Sequence, residues 1–364
     1  MARNGRPSAS ARGRRNYHYA VGRRQSRSDN QRKRDVKLTA AQIPAGTDNF
    51  LTGCGWGGAA IEPLAGDASF RRYFRVRKSD GSTAMLMDAP PPHEDPKPFL
   101  HVAQYLVEQG FRAPVVYGTD LDRGLVLIED FGNTRMREFL DDHPEDEMQI
   151  YRHAIATLID LEKAPVAKLA PYDFAAYLRE VDLLVEWYLP AMGVAFDREE
   201  FEALWKAALA SISGPEWQQV TALRDYHAEN IMLLEDGSQG LIDFQDALAG
   251  HPAYDLVSLL QDARRDVSQE LEIEMLLYYK SVAKPEYDFD LHYALLGAQR
   301  NTKIVGIFTR LWKRDGKARY LNFLPRMWGL LERDLQHPGL ADLKHWFDTT
   351  IPDEVRRTSP DSIA

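Results

Sequence analysis

The chain has 364 residues, of which 44% are hydrophobic and 27% charged, and its formal net charge at pH 7 is −9. This composition suits one large or two medium globular domains, and no apolar run reaches the roughly 20 residues of a membrane span. A single cysteine, Cys54, excludes an internal disulfide and a cysteine-built metal cluster. We therefore expect a cytoplasmic protein without membrane contact.

Residues 1–44 differ in composition from the rest of the chain. Positions 1–38 carry twelve Lys or Arg residues against Asp29 and Asp35, few aliphatic residues and no periodic apolar face. This composition predicts a disordered basic tail. A dispensable extension is the favoured interpretation, and contact with nucleic acid or another acidic surface and organelle targeting are the alternatives. Because the remaining chain is acidic, we do not expect the protein to bind nucleic acid.

Residues 45–131 show the pattern of a small α+β unit. Short apolar runs at 61–64, 73–76 and 84–87 predict strands. Helical spacing over 99–107 predicts one helix, and the runs at 115–117 and 125–128 predict a hairpin. We expect a small antiparallel sheet with one helix.

After Gly132 the apolar residues recur at helical spacing. The predicted helices cover 151–161, 174–189, 201–212, 253–264, 270–282, 291–311 and 318–335. The whole pattern predicts an α+β, two-lobed fold like that of protein kinases, with a sheet-containing N-lobe (45–131), a helical C-lobe (132–350) and a flexible C-terminus (351–364). A cleft between two lobes is a common nucleotide site.

One hairpin in the helical part carries the most specific signal. Asp225 is followed five residues later by Asn230, and an Asp-Phe pair begins at Asp243 after the second strand of the hairpin. This order matches the kinase loops H-R-D-x-x-x-x-N and D-F-G, except that Leu223 fills the His position and Gln245 the Gly position. Carboxylate and amide oxygens suit Mg²⁺. We therefore predict Asp225 as the catalytic base and Asn230 and Asp243 as Mg²⁺ ligands.

A second candidate site lies between the first two predicted strands. The small residues at 65–69 let the backbone turn sharply and direct its N–H groups at an anion. We predict that this loop binds the phosphates of ATP, together with Ser69, Phe70, Arg71 and Arg72.

The next strand lacks the lysine that kinases use for the α- and β-phosphates. Met87 fills its position, or Asp88 if the alignment shifts by one residue. We expect Arg71, Arg72 or Lys97 to substitute, or metal and backbone alone to hold ATP. An arginine is favoured because its planar fork engages two phosphate oxygens.

The segment 129–132 is predicted to join the two lobes. In the functional interpretation the backbone of Glu129 to Phe131 hydrogen-bonds the adenine edge, and Ile128 or Phe131 lines the ring. In the alternative the segment is a plain connector, and both interpretations are compatible.

From about Ile61 to Leu335 the chain resembles the aminoglycoside phosphotransferase family, kinase-like enzymes that phosphorylate small molecules. Asp225, His227 and Asn230 match the family's H-x-D-x-H-x-x-N loop, and residues 242–244 match its Ile-Asp-Phe metal loop. Leu223 departs from this pattern. The resemblance implies ATP and Mg²⁺ as cofactors, and it implies that an acidic residue after the metal loop, Asp255, supports the fold.

Finer strings resemble the bacterial kinases that phosphorylate the anomeric hydroxyl of N-acetylmuramate and N-acetylglucosamine in cell-wall recycling. These strings are GDASFRRY at 66–73, MDAPP at 87–91, RDYH at 224–227, DFQDA at 243–247, YDLVSLL at 254–260 and GIFTRL at 306–311. In that subgroup the MDAPP string stands where relatives keep the lysine.

This resemblance implies a small amino sugar as the substrate, whose hydroxyl meets Asp225. Gln245 and Asp246 are candidates for the sugar hydroxyls or the acetamido group. Basic residues of the predicted helix at 291–311 are candidates for the lactyl carboxylate of N-acetylmuramate. These basic residues are Arg300, Lys303 and Arg310.

Three other interpretations are compatible with the pattern. The first is a family member acting on an aminoglycoside, choline or a similar cation, which an acidic body suits. The second is a nucleotide-binding protein without catalysis, suggested by Leu223 and the absent lysine. The third is a protein kinase, although no Ala-Pro-Glu segment follows Asp243. The pattern does not predict the oligomeric state.

Overall fold

The computed structural model describes residues 43–64, 70–214 and 217–363. Nearly all of the predicted basic tail lies outside these residues. Residues 65–69 of the predicted phosphate loop, including Ser69, also lie outside them.

The described part of the N-lobe contains a five-stranded antiparallel sheet with the order β1-β2-β3-β5-β4. Its strands are β1 (Ala60–Pro63), β2 (Arg72–Arg77), β3 (Thr83–Asp88), β4 (Val116–Asp120) and β5 (Leu125–Glu129). Two helices accompany it, α1 (Thr47–Gly53) and α2 (Lys97–Glu108). The hairpin predicted at 115–128 is present as β4 and β5. Its second strand, β5, pairs with β3 at the centre of the sheet.

Side chains of β2 and β3 alternate between the two faces of this sheet, as pleating requires. On one face Phe74 is buried against Leu51 of α1. On the other face Met87 is buried in a cluster that includes Phe99 of α2. The strand register places Tyr73 directly opposite Met87, so both side chains lie on the face turned toward α2.

The C-lobe is mainly helical. Its helices are α3 (Met136–Asp142), α4 (Glu147–Glu162), α5 (Phe174–Leu183), α6 (Leu189–Met192), α7 (Arg198–Leu209), α8 (Ala253–Leu260), α9 (Gln269–Ala283), α10 (Phe289–Asp315), α11 (Leu324–Asp334), α12 (Ala341–Thr350) and α13 (Asp353–Arg357). The sheet-containing lobe and the helical lobe together confirm the predicted kinase-like α+β fold. Within the described residues, no helix combines the length and apolar character needed to cross a bilayer.

Two short antiparallel strand pairs frame the predicted catalytic and metal loops. They are β6 (Val220–Ala222) with β9 (Leu248–Gly250), and β7 (Ile231–Leu233) with β8 (Gln239–Leu241). The second pair, β7 with β8, is the hairpin predicted between Asn230 and Asp243. The first pair was not predicted, because a three-residue strand is too short for a pattern of alternation.

Helix α10 lies at the centre of the C-lobe. Its 27 residues extend about 40 Å at 1.5 Å per residue. It packs against α5, α8 and α11, and most of its first twenty residues are buried. The helix therefore connects the core of the lobe to the catalytic loop.

Two segments differ from the predicted helices. The predicted helix at 174–189 contains a π-helical turn, Leu184–Tyr188, just before Pro190, which has no N–H to donate. The C-terminus, predicted to be flexible, instead contains α13. There Arg356 is 8% exposed and contacts the Ile351 carbonyl at 2.6 Å, Glu332 at 3.0 Å and Asp348 at 2.9 Å. These contacts attach α13 to α11 and α12.

We predict that Gly306→Ala destabilises the protein. Gly306 lies in α10, and a Cβ there would lie 2.3 Å from the backbone carbonyl carbon of Leu183 in α5. Overpacking of this kind costs about 1–3 kcal/mol of unfolding free energy. Denaturation by urea measures the change.

Gly329→Ala in α11 is the matched control, since a Cβ there meets nothing within 4 Å. The unfolding free energy of this variant is expected to rise by about 0.5–1 kcal/mol, because Ala has a higher helix propensity than Gly. Equal stabilities of the two variants would contradict the close approach of α10 to α5.

Candidate active site

The catalytic loop runs from the end of β6 to the start of β7 and is held by α8. The backbone N–H groups of Leu223 and Arg224 donate to the two carboxylate oxygens of Asp255 at 2.6 and 2.8 Å. Ser258, one turn along the helix, donates to the Arg224 carbonyl at 3.1 Å. Arg224 has a φ of 70°, a left-handed conformation that a side chain adopts only at a cost of about 1–2 kcal/mol. The contacts from α8 offset this strain.

Asp255 is buried, with 3% of its surface exposed. Burial raises its pKa to about 6, and the two N–H donors oppose this rise. The carboxyl group therefore acts as a structural acceptor beneath the loop, as the sequence pattern implied for this position.

Asp225 lies at the next position of the loop and is half-buried. Burial raises the pKa of this carboxyl, but the positive charges of His227, Lys303, Arg300 and Arg224 outweigh it, so the pKa lies below its ordinary value. Burial lowers the pKa of His227 itself. At neutral pH the lysine and the two arginines therefore keep Asp225 ionised and ready to accept a proton.

Asn230 and Asp243 meet where the two loops converge. The Asn230 side-chain nitrogen donates to the Asp225 carbonyl at 3.0 Å and lies 3.3 Å from Oδ2 of Asp243. Asp243 is exposed and has a left-handed φ of 60°. An exposed carboxylate beside a carboxamide is an oxygen donor set that suits Mg²⁺. Asn230 would offer its Oδ1 atom to a cation after rotation of the amide.

The two residues after the metal loop have different surroundings. Gln245 donates to Oδ1 of Asp243 at 2.9 Å, so its amide orients the candidate metal ligand. Asp246 is exposed, and its carbonyl accepts a hydrogen bond from Arg224 at 3.1 Å. A sugar contact for Gln245 or Asp246 stays a prediction.

Of the three basic residues predicted on α10, the structure brings two to the catalytic loop. Arg300 is 4% exposed and donates to Ser258 at 2.9 Å. Lys303 donates to Glu180 at 2.9 Å. Arg310 lies about 15 Å further along the helix than Arg300, where its charged neighbours include Glu186.

Glu180 of α5 is a site residue that was not predicted. It accepts hydrogen bonds from Lys303 at 2.9 Å and Gln299 at 3.1 Å, and also from Arg224 and Tyr172. Burial raises its pKa, but the nearby cations lower it further, so the carboxylate stays ionised. Glu180 thus ties α5 and α10 to the catalytic loop. A lone glutamate in an otherwise amphipathic helix carries no sequence signal for this role.

Three of the residues predicted to bind the nucleotide lie in the described part of the phosphate region. Phe70 is exposed and stacks on the His93 ring with centroids 5.2 Å apart. Arg71 pairs with Glu94 at 3.2 Å. Arg72 donates from Nε to the buried Asp88 at 2.8 Å. Asp88 is therefore the ion-pair partner of a loop arginine.

The segment between the lobes differs in part from the predicted adenine contacts. The Glu129 amide already donates to Val115 at 2.8 Å, and its carboxylate takes two hydrogen bonds from Arg112, at 2.8 and 2.6 Å. The Phe131 ring packs against Gly240, where a Cβ would lie 2.7 Å from it, and the Arg112 guanidinium lies 4.9 Å from the ring centroid. Among the described residues neither the Asp130 amide nor the Phe131 amide has a backbone acceptor, so these two hinge donors remain for adenine.

We predict that Asp255→Asn changes how stability depends on pH. Because the folded-state pKa of Asp255 is raised from 3.8 to about 6, its stabilising contribution is full below pH 4. The contribution is lost as pH rises through 6. Between pH 5 and 7.5 the unfolding free energy of the wild type should fall by about 1 kcal/mol more than that of the variant.

Urea denaturation at the two pH values measures this difference. Asp160→Asn is the control, because that carboxylate is exposed and its one ion pair among the described residues is with Lys163. A stability difference between wild type and Asp255→Asn that does not change with pH would contradict the assignment.

Comparison with known proteins identifies the family. The phosphotransferase enzyme family matches residues 60–289. The N-acetylmuramate/N-acetylglucosamine kinase of Caulobacter vibrioides is 37% identical over 355 residues, covering 85% of this chain and 96% of that protein. The protein of the same name from Pseudomonas aeruginosa is 38% identical over 305 residues, covering 79% and 89%.

Choline kinase LicA from Streptococcus pneumoniae superposes with a TM-score of 0.54 at 14% identity, covering 78% of this chain and 93% of its own. At this identity the similarity is one of fold. The family match and the two bacterial kinases confirm the resemblance read from the catalytic and metal loops, and the chain therefore belongs to the phosphotransferase enzyme family.

Proposed function

We propose that the protein is a cytoplasmic, ATP-dependent kinase that phosphorylates the C1 hydroxyl of N-acetylmuramate or N-acetylglucosamine in cell-wall sugar recycling. The observation that carries the proposal is the convergence of Asp225, Asn230 and Asp243 on two adjoining loops. The names of the two bacterial relatives support the substrate class.

Asp225 is the proton acceptor in this reaction. As the C1 oxygen attacks the γ-phosphorus, its proton passes to the Asp225 carboxylate, and the bond from the γ-phosphorus to the ADP oxygen breaks. An anomeric hydroxyl is more acidic than an ordinary alcohol. A carboxylate with a lowered pKa is therefore a sufficient base, and it is ionised throughout the neutral range.

Asn230 and Asp243 would hold Mg²⁺, which when bound neutralises charge on the triphosphate and on the leaving group. Gln245 orients the Asp243 carboxylate through its hydrogen bond to Oδ1. Asn230 also bonds to the backbone of Asp225, so the candidate metal ligand and the base keep a fixed distance. The Phe131 amide is the donor that we assign to the adenine edge.

The candidate sugar-binding residues differ in their exposure and in their ion-pair partners. Arg300 is buried beneath the catalytic loop, and Lys303 is paired with Glu180. We assign both to the electrostatics of Asp225. Asp246 is exposed beside the metal loop and is the candidate that we assign to a sugar hydroxyl.

We predict that the product is a sugar 1-phosphate. Phosphorus NMR of the reaction with N-acetylglucosamine or N-acetylmuramate should show, besides the signals of ADP, a sugar-phosphate doublet that is coupled to the anomeric proton, because the phosphate couples to the single proton on C1. Parallel reactions with kanamycin and choline should show no ATP consumption. Phosphate on another hydroxyl, or turnover of only the cationic compounds, would contradict the proposal.

We predict that Asp225→Asn and Asp243→Ala fail in different ways. Asp225→Asn removes the base, so kcat should fall at least about 100-fold, with little change in ATP affinity. Asp243→Ala should weaken ATP binding only when Mg²⁺ is present, which calorimetry with and without the metal measures. Asp236→Asn, in the exposed turn of the same hairpin, is the control. Near-normal turnover by Asp225→Asn would contradict its role.

A further inference from the structure

The structure offers a replacement for the lysine that β3 lacks. In kinases this lysine binds the α- and β-phosphates and is held by a glutamate of the neighbouring helix. Here the face of β3 turned toward α2 carries Met85 and Met87. Any cation that serves these phosphates must therefore come from another element on the same face.

Strand β2 supplies side chains to this face. Tyr73 stands opposite Met87 in the register, and its hydroxyl lies 3.5 Å from the Met87 sulfur. Arg71, two residues earlier, lies on the same side of an extended chain. It interacts directly with the Tyr73 hydroxyl. Arg71 thus lies beside the Tyr73–Met87 pair, whose Met87 occupies the lysine position.

A glutamate holds Arg71 as it would hold the lysine. Glu94, in the turn before α2, pairs with the guanidinium at 3.2 Å. The side chains of Arg71 and Glu94 are only 10% and 18% exposed. An ion pair this enclosed restricts the arginine to one orientation, so little entropy is lost when the guanidinium meets phosphate oxygens.

The other cations of the region have different positions. Arg72 points to the opposite side of β2 and pairs with Asp88. Arg75 pairs with Asp130 at 2.7 Å and donates to the Gly132 carbonyl at 3.0 Å, at the segment between the lobes. Lys97 is exposed at the start of α2.

Tyr73 connects Arg71 with the metal loop. Burial raises the pKa of Tyr73, and the negative charge of Asp243 adds to this rise while Arg71 opposes it. The hydroxyl therefore lies within electrostatic reach of both groups.

We propose that Arg71 binds the α- and β-phosphates of ATP in place of the missing lysine, with Glu94 and Tyr73 as its positioning residues. The inference rests on the proposed kinase function, but it concerns nucleotide binding and not the identity of the sugar. A wrong sugar assignment would leave it intact.

Calorimetry in the presence of Mg²⁺, with ADP and adenosine as probes, tests the proposal on the full chain. Charge-assisted hydrogen bonds contribute about 1.5–3 kcal/mol, so Arg71→Met should weaken ADP binding roughly 10- to 150-fold. Adenosine, which lacks phosphates, should bind as to wild type. Arg77→Met, at the exposed end of β2, is the matched control and should change neither affinity.

Two further variants separate phosphate binding from structural support. Arg71→Lys keeps the charge but loses the fork, so its ADP affinity should fall between those of wild type and Arg71→Met. Glu94→Gln should weaken ADP binding less than Arg71→Met does. Unchanged ADP affinity in Arg71→Met, or an equal loss for ADP and adenosine, would overturn the proposal.

Discussion

The Asp255 carboxylate accepts hydrogen bonds from two consecutive backbone amides of the catalytic loop. The positions of the other site residues depend on this contact. It sets the chain direction at Arg224, whose backbone is left-handed and which directly precedes Asp225. The carboxylate is supplied by α8, which is entirely buried. The proposed base is thus attached to a helix whose residues are all buried, which is typical of the least mobile parts of a lobe.

The charge states of the site depend on which charged side chains are buried together. Glu180 faces Arg224 and Lys303, and Arg300 lies beneath the loop, so the carboxylates of Glu180 and Asp225 share one partly buried region with three cations. For both carboxyl groups burial raises the pKa, and the nearby cations lower it below its ordinary value. Because these charges come from α5, α10 and the loop, the ionised state of Asp225 depends on the packing of the whole lobe.

Local patterns predicted the parts of the site that are close in sequence. Asp225, Asn230 and Asp243 lie within nineteen residues, and a hairpin of ordinary geometry brings such residues together. Glu180, and the pairing of Arg71 with Glu94, could not be predicted, since they depend on contacts between distant segments. The apolar spacing predicted most strands and long helices, but it missed β6, β9 and the helices α1, α3, α12 and α13. All of these except α12 are too short to show a period.

The aromatic contact between the lobes has a thermodynamic consequence. Phe244, next to Asp243 in the chain, stacks on Phe99 of α2 with centroids 5.2 Å apart and planes 12° from parallel. Glu94 lies just before the same helix, so the metal loop and the arginine pair are joined through α2. A ligand that shifts α2 changes the free energy of both groups, and linkage makes such an effect mutual. If Asp243 binds the metal as we propose, nucleotide and metal should therefore change each other's affinity by the same factor.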